Sequence, residues 1–276
     1  MSAPCRSTTA TPSSGCRSDG GGHPVPSEHA RRWRWGPIAG PVRSRRAALP
    51  AVDLTCRLGP ITLPNPVITA SGTYGHGDEV ARLGDPARLG AVTAKSLSVY
   101  PWEGNPAPRV WEAPAGMLNS VGLQNPGVEA WLEQDLPPLL ARGARVIVSI
   151  WGRSVDDYAK AAAALAPALP RLTALEVNVS CPNLEDRGRM FAAHPEATSA
   201  ALSAVRDQLP PDFPLLAKLS PNVTDLVAVA AAAGAAGASG LTLINTLVGL
   251  AVDAETRRPR LGAGGFRHRP PGRQGC

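Results

Sequence analysis

The stretch "RVIVSIWGRSVDDYAKAAAALAPALPRLTALEVNVS", residues 145–180, decides the fold. It opens with an apolar run at 145–151 and ends with a second apolar run at 174–180. An alanine-rich segment around 155–166 lies between them and has the composition of a helix. Both runs are apolar on the two faces that a strand presents, which is typical of a parallel sheet covered by helices. The stretch therefore predicts a strand–helix–strand unit.

The same alternation extends in both directions. Further strands are predicted at 67–71, 91–98, 214–220 and 240–246, and further helices around 196–209 and 224–233. Polar residues gather at the carboxyl ends of these strands, where barrel enzymes place their chemistry. No glycine-rich dinucleotide fingerprint follows the first strand, which disfavours a doubly wound sheet. We therefore expect an α/β fold, a (β/α)8 TIM barrel that is incomplete with about six of its eight strands, preceded by a short N-terminal β-hairpin region.

The two ends of the chain differ in composition from this barrel segment, which we place at 51–265. Residues 1–50 carry eight arginines against Asp19 and Glu28, which accounts for the whole formal charge of +6. We expect this Arg/Ser/Gly/Pro-rich extension to be disordered. The final "FRHRPPGRQGC", residues 266–276, has no strand or helix pattern and is expected to be an aberrant tail produced by a shift of reading frame.

Composition also limits the class of protein. The 20 basic and 20 acidic residues after residue 50 cancel, so no basic groove for nucleic acid is expected on the domain. No apolar run is long enough for a membrane span. The five cysteines form no CxxC pair, and no His/Asp/Glu metal set stands at the strand ends. These features favour a cytoplasmic protein without a metal site.

The polar residues at the predicted strand ends are hydroxyls, amides and ammoniums, with almost no carboxylates. Lysine is rare, with three against 25 arginines, yet two of the three lie in apolar strands. Such a set suits a planar, hydrogen-bonding ligand whose reduced form is negatively charged, as a flavin is. The residues are Ser71, Lys95, Ser96, Ser149, Asn178, Cys181, Asn183, Lys218, Asn245 and Thr246, with Asn119, Gln124 and Asn125 in a long loop.

Seven collinear motifs carry a resemblance to a known family. They are "ASGTYG", "AKSLS", "GNPAPRV", "GMLNSVGLQNPG", "LEVNVSCPN", "LAKLSPNVTD" and "LTLINTLVG", spread over about 210 residues. The chain resembles dihydroorotate dehydrogenase, and "GLQNPG" and "INTLVG" resemble the catalytic subunit of its class 1B form. The resemblance implies oxidation of dihydroorotate to orotate in pyrimidine (UMP) biosynthesis. It also implies FMN as cofactor, a homodimer at the core of a heterotetramer, and a second subunit with FAD and a [2Fe–2S] cluster that passes electrons to NAD.

The resemblance also implies roles for single residues. Cys181 matches the catalytic base that removes a proton from dihydroorotate, and a cysteine can do this only as thiolate. The positions that match flavin contacts are Ser71, Lys95, Ser96, Ser149, Asn178, Lys218 and Ile244. The positions that match substrate contacts are Lys95, Asn119, Ser120, Val121, Gly122, Leu123, Asn178, Asn183, Asn245 and Thr246.

Two alternatives remain open. An eight-stranded barrel with two strands missing leaves open sheet edges, so the chain is alternatively a truncated or frameshifted, non-catalytic product that cannot hold FMN. The other alternative is a different FMN-dependent barrel reductase, such as a dihydrouridine synthase. That enzyme acts on tRNA, and the net charge of zero on the domain argues against it.

Overall fold

A computed structural model describes residues 52–114, 116–180, 182–183 and 189–261. The predictions for residues 1–50 and 266–276 lie outside these described residues. In chain order the elements are β1 (Cys56–Leu58), β2 (Ile61–Leu63), β3 (Val92–Thr93), β4 (Val110–Ala113), β5 (Gly116–Asn119), α1 (Val128–Gln134), α2 (Leu136–Ala141), β6 (Val146–Ile150), α3 (Val155–Ala164), β7 (Ala174–Asn178), β8 (Pro182–Asn183), β9 (Arg189–Met190), α4 (Pro195–Arg206), β10 (Leu215–Lys218), α5 (Leu226–Ala235) and β11 (Gly240–Thr242).

Five of these strands form one parallel sheet in the order β11-β10-β7-β6-β3. Helices connect consecutive strands of the sheet from β6 onward, which confirms the predicted α/β fold with part of a TIM barrel. The strand predicted at 67–71 is reduced to a parallel bridge between Ile68 and Ala91. The strand predicted at 240–246 ends at Thr242, because the chain after it pairs with no further described strand.

Strands β3, β6, β7 and β10 are buried on both faces, and the alternation of side chains divides the sheet into two surfaces. The side chains that point outward pack against the helices and form the main core; among them are Val146, Val148, Ile150, Leu175, Val177, Leu215 and Ala217. Burying one such side chain stabilises the fold by roughly 1.5–3 kcal/mol. The alternate residues of β6, β7 and β10 point into the barrel.

The barrel interior is apolar at the amino ends of the strands and polar at their carboxyl ends. The β1–β2 hairpin, which was predicted, packs against the apolar end through Ile61 and Leu63, beside Ile147 and Leu216. Above this layer the inward residues become hydroxyls, an acid, an amide and an ammonium. The hairpin thus fills the bottom of the barrel and leaves the polar layer at the top.

Helices α3 and α5 begin close to where the sequence predicts them, at capping side chains. Ser154 accepts a hydrogen bond from the backbone N–H of Asp157 at 3.1 Å and starts α3, and Asp225 accepts from Ala228 at 2.9 Å and starts α5. Helices α1 and α2 were not predicted. Within the described residues, no helix has the length and apolar character needed to cross a membrane.

Candidate active site

The polar layer lies where four neighbouring strands end. Ser149 on β6, Glu176 and Asn178 on β7, and Lys218 on β10 are all buried, and Thr242 on β11 is half-buried. The register pairs Ser149 with Glu176 and Lys218 with both Asn178 and Thr242, so these side chains share the inner surface. The sheet therefore brings together the predicted residues Ser149 and Lys218, which are 69 positions apart in the sequence.

A chain of hydroxyl groups connects the predicted flavin contacts. The oxygens of Ser71 and Ser96 are 3.3 Å apart, and those of Ser96 and Ser149 are 2.9 Å apart. Ser149 then donates a hydrogen bond of 2.9 Å to Oε1 of Glu176, whose Oε2 accepts one of 2.8 Å from Thr242. The sequence prediction that these serines share one site is consistent with this geometry.

Two amides extend the network toward the barrel mouth. Nδ2 of Asn178 donates to Ser96 at 3.2 Å, and Oδ1 of Asn178 accepts from Nδ2 of Asn245 at 3.0 Å. Asn245 is in turn fixed by its backbone N–H, which donates to the carbonyl of Leu219 at 2.9 Å. The predicted cofactor and substrate contacts thus form one connected polar surface.

Glu176 was missed by the sequence analysis. The prediction of a site almost without carboxylates is wrong at this position, since the Glu176 side chain is 2% exposed and lies at the centre of the layer. A signal was present in "ALEVN", where Glu176 and Asn178 are two residues apart and so face the same side of a strand. Its buried acceptors are satisfied by Ser149 and Thr242, which allows the charge to be buried.

The two lysines that were predicted to lie in strands differ in their surroundings, and Lys95 lies beyond the end of β3. Lys218 is 6% exposed, and its ammonium forms no hydrogen bond or ion pair with another described residue. Lys95 is half-buried, and its backbone N–H donates to the carbonyl of Gly75 at 2.9 Å. Because no described side chain neutralises the Lys218 ammonium, its positive charge is available to a bound group with an electron-rich edge. A flavin meets this requirement.

The segment 116–123 departs from the prediction of a long loop. Its first part is strand β5, which pairs with β4 in a hairpin that places Asn119 opposite Val110. The hairpin formed because residues 110–113 supply a partner strand that the sequence pattern did not indicate. Asn119 is exposed, Ser120 is buried, and the predicted contacts Val121, Gly122 and Leu123 are half-buried.

Two residues that sequence reasoning left without a role hold this segment. Nδ2 of Asn105 donates to the backbone and the hydroxyl of Ser120, at 3.2 and 3.0 Å. The Arg109 guanidinium donates to the carbonyls of Asn105 and Glu103 and, at 2.6 Å, to Oε1 of Gln124. Both belong to "GNPAPRV", so the motif positions the segment.

Asn125 has a structural role instead of facing the site. Its Oδ1 accepts hydrogen bonds from the backbone of Ser98 and Gly127, and its Nδ2 donates to the carbonyl of Leu123. The side chain is 4% exposed. It therefore shapes the turn that follows the predicted substrate contacts.

Several predicted residues either are exposed or lie where the structure gives little description. Ile244 and Thr246 are exposed, and the backbone N–H of Thr246 donates to Oδ1 of Asn245 at 2.7 Å. Cys181, the predicted catalytic base, lies outside the described residues. Asn183 lies in β8, and only its backbone is described. Their predicted roles stay predictions.

A cleft of about 560 Å³ lies beside the predicted substrate segment and is lined by His76, Glu79, Trp102, Gln124 and Asp135, among others. Burial, reinforced by the positive charge of Lys95, lowers the pKa of His76. Burial, reinforced by the negative charge of Glu79, raises the pKa of Asp135. Trp102 joins the cleft to the substrate segment, because its indole N–H donates to the carbonyl of Gly122 at 2.9 Å.

Comparisons with known proteins agree with the motifs. The family model described as dihydroorotate dehydrogenase matches residues 54–268. The chain is similar to the protein named dihydroorotate dehydrogenase B (NAD(+)), catalytic subunit, of Desulforudis audaxviator (strain MP104C), with 50% identity over 202 residues, which are 73% of this chain and 65% of that protein. The proteins of the same name from Geotalea uraniireducens (strain Rf4) and Geobacter sulfurreducens (strain ATCC 51573 / DSM 12127 / PCA) are 46% and 44% identical over 209 residues, which are 76% of this chain and 68% of each relative.

The chain thus spans about two thirds of the length of these relatives. The match covers the whole described barrel segment, including the strands that carry the polar layer. The resemblance read from the motifs is confirmed: the chain belongs to the dihydroorotate dehydrogenase family.

Proposed function

We propose that the chain oxidises dihydroorotate to orotate in pyrimidine biosynthesis, with FMN as cofactor. The family is flavin-dependent, and the relatives are named as NAD(+) catalytic subunits. The observation that carries the proposal is the row of hydrogen-bond donors at the barrel mouth. It is made by Asn178, Asn245 and the ammonium of Lys218, for which no described residue provides a hydrogen bond or ion pair. These groups suit the carbonyl oxygens of an isoalloxazine or pyrimidine ring.

The site residues have different proposed roles in this reaction. Cys181, as thiolate, would take the proton from C5 of dihydroorotate, while bound FMN would accept the hydride from C6. Lys218 and Lys95 would hold positive charge against the reduced ring, which stabilises the negative charge that develops there. Asn119, Asn183, Asn245 and Thr246 would orient the substrate from its rim.

The relatives' names support a separate electron-transfer subunit. We propose that this subunit carries FAD and a [2Fe–2S] cluster and passes electrons to NAD, and that this chain forms the homodimeric core of a cytoplasmic heterotetramer. Copurification of the two subunits, followed by NAD reduction in the presence of dihydroorotate, tests this assignment. Reduction of NAD by this chain alone would contradict it.

The activity test compares two cysteines. In the full chain, Cys181→Ser should lower dihydroorotate oxidation by at least about 100-fold, the scale of a lost general base, while FMN absorbance stays at the wild-type level. Cys56→Ser is the matched control, because Cys56 lies half-buried in β1, in the hairpin at the opposite end of the barrel. An unchanged rate in Cys181→Ser, or a wild-type chain that takes up no FMN, would refute the proposal.

A second candidate is a chain that does not hold FMN and has no activity. The observation that favours it is a row of exposed apolar side chains on and after β11, including Leu241, Leu243, Leu247 and Leu250. Exposed apolar side chains promote self-association where they form a patch. Gel filtration combined with flavin absorbance separates the candidates: a colourless aggregate supports the second, and a yellow, monodisperse species supports the first.

A further inference from the structure

We propose that Glu176 is a positioning residue that sets the direction of the hydrogen bonds among the hydroxyls of the polar layer, while backbone donors set the direction of its two amides. Its carboxylate is the point toward which all donors of the network are turned. As a result, the layer presents N–H groups to the ligand and selects a ring edge that carries carbonyl oxygens. The part of this inference that concerns ligand selection rests on the proposed function.

The amide end of the network is fixed by backbone donors. The backbone N–H of Ser180 donates to Oδ1 of Asn178 at 3.1 Å. A backbone N–H can only donate, so this contact identifies the oxygen of the Asn178 amide and leaves Nδ2 facing Ser96. In the same way, the backbone of Thr246 identifies Oδ1 of Asn245, and Nδ2 of Asn245 therefore donates to Asn178.

The acid end is fixed by Glu176. A carboxylate oxygen only accepts, so the hydrogen of Ser149 is directed to Oε1 of Glu176. Ser149 has no second hydrogen, and Ser96 must be the donor in their 2.9 Å contact. The hydrogen of Ser96 is then also used, so Ser71 donates to Ser96 across 3.3 Å.

Both ends give the same direction, from Asn245 through Asn178, Ser96 and Ser149 to Glu176. Each of the two amides spends one N–H on this chain and keeps a second N–H, for which the structure shows no partner among the described residues. Ser96 keeps no hydrogen for a ligand. The surface therefore accepts a ring with carbonyl oxygens and disfavours the analogue in which an amino group replaces a carbonyl, because two donors would then face each other.

Removing the acceptor should let the hydroxyl part of the chain reverse, while the amides of Asn178 and Asn245 keep the direction that their backbone donors give them. Glu176→Met has similar length but takes away both carboxylate oxygens, so Ser149 is free to donate to Ser96 and to compete with the amide of Asn178. Glu176→Gln is the conservative variant: its oxygen can still accept from Ser149 and its NH₂ can face Thr242, so the direction is kept and only the charge is lost. Thr242→Val removes the other hydrogen bond of Glu176 and leaves the chain intact.

The test measures FMN affinity of the full chain by titration of flavin fluorescence. Glu176→Met and Ser149→Ala should each weaken FMN binding at least tenfold, and the double variant should bind no more weakly than either single one, because both cut the same chain. Glu176→Gln should stay within about threefold and Thr242→Val within about twofold of wild type. Wild-type affinity in Glu176→Met, or fully additive losses in the double variant, would overturn the inference.

A second measurement does not depend on flavin. Ser96 and Glu176 share no direct hydrogen bond and communicate through Ser149. The effects of Ser96→Ala and Glu176→Met on stability are measured by urea unfolding of the ligand-free chain. In the wild-type background, the folded-to-unfolded ratio of the double variant should differ by at least threefold from the value expected for independent effects. In the Ser149→Ala background, the two effects should be additive. Additivity in both backgrounds would overturn the inference even if FMN binds.

The two measurements separate two failures. A wild-type chain that binds no FMN refutes the proposed function, and the unfolding cycle then decides the direction of the network by itself. If Glu176→Met shows no cooperative unfolding, the cycle is run with Glu176→Gln and Ser149→Ala. In the Glu176→Gln background, Ser96→Ala should change the free energy of unfolding as it does in wild type. In the Ser149→Ala background, this dependence should be lost. The opposite pair of results would overturn the inference.

Discussion

The phenol of Tyr158 donates a hydrogen bond of 2.7 Å to the backbone carbonyl of Asn178. Tyr158 lies on helix α3, is fully buried, and meets the ring of Phe191 edge-on with their centroids 5.2 Å apart. Asn178 is therefore held from outside the sheet by a helix and from inside by the polar layer. The end of β7, which precedes Cys181, is positioned by both.

Loss of this phenol should destabilise the protein. Tyr158→Phe removes one buried hydrogen bond and keeps the ring packing, so we expect the free energy of unfolding to fall by about 1 kcal/mol. Urea unfolding measures the change. Tyr100→Phe is the control, since its phenol contacts Asp157 at 3.1 Å at a half-buried site, and a smaller loss is expected there. Equal losses for both variants would contradict the special role of the Tyr158 contact.

Lys218 should show opposite effects on stability and binding. In the ligand-free protein Lys218→Met replaces a 6% exposed lysine, which forms no ion pair with another described residue, by an apolar side chain of similar length. The free energy of unfolding should therefore rise, on the order of 1 kcal/mol. FMN affinity should fall at least tenfold, because a charged hydrogen bond is lost. Differential scanning fluorimetry and flavin titration measure the two quantities.

Lys160→Met provides the matched control for Lys218. Lys160 is exposed on α3 and pairs with Asp156 four residues earlier at 2.6 Å, an interaction that contributes little to stability. Its substitution should leave FMN affinity unchanged. A wild-type affinity in Lys218→Met would argue against a flavin edge at this lysine.

The sequence pattern predicted the structural features that repeat along the chain. It did not predict those that depend on single side-chain contacts. Strands β6 and β7 were predictable because they are apolar on both faces, and the polar ends of these strands identified Ser149 and Asn178. The β4–β5 hairpin was missed, since its shape depends on side-chain hydrogen bonds of Arg109 and Asn105 that the apolar pattern of the sequence does not indicate. Glu176 was missed because a single acid in an apolar strand carries no indication of the two hydroxyls that satisfy it.

The substrate segment should be sensitive at Gly122. Its φ of +74° is unfavourable for other residues, and an added Cβ would lie 2.6 Å from Cγ and 2.7 Å from the backbone N of Asn105. Gly122→Ala should therefore shift the segment that carries Asn119 to Leu123. We expect a loss of about 1–2 kcal/mol in stability and a rise in the KM for dihydroorotate that exceeds the fall in kcat.

Gly84→Ala is the control for this substitution. An added Cβ there meets no atom within 4 Å, and Gly84 does not have the positive φ of Gly122. Both stability and KM should stay near wild type. If Gly122→Ala matched this control in steady-state kinetics, the segment would not be the substrate contact that the resemblance implies.

The cleft beside the substrate segment should make stability depend on pH through His76. Burial, aided by Lys95, lowers its pKa below the ordinary 6.5, so in mildly acidic solution the folded protein binds fewer protons at this site than the unfolded chain does. The contribution of His76 is then complete above pH 6.5 and is lost as the pH falls toward the lowered pKa. Urea unfolding between pH 7 and pH 5 should show a steeper loss of stability in wild type than in His76→Gln.

Asp135 provides the opposite sign in the same cleft. Burial and the charge of Glu79 raise its pKa above the ordinary 3.8, so the folded protein binds more protons there than the unfolded chain, and acidification through this window is stabilising. Asp135→Asn should remove that gain and make the acid-side loss of stability steeper, while His76→Gln makes it shallower. Opposite changes in the slope of unfolding free energy against pH identify the two groups separately. Slopes equal to that of wild type in both variants would show that neither pKa is shifted by folding.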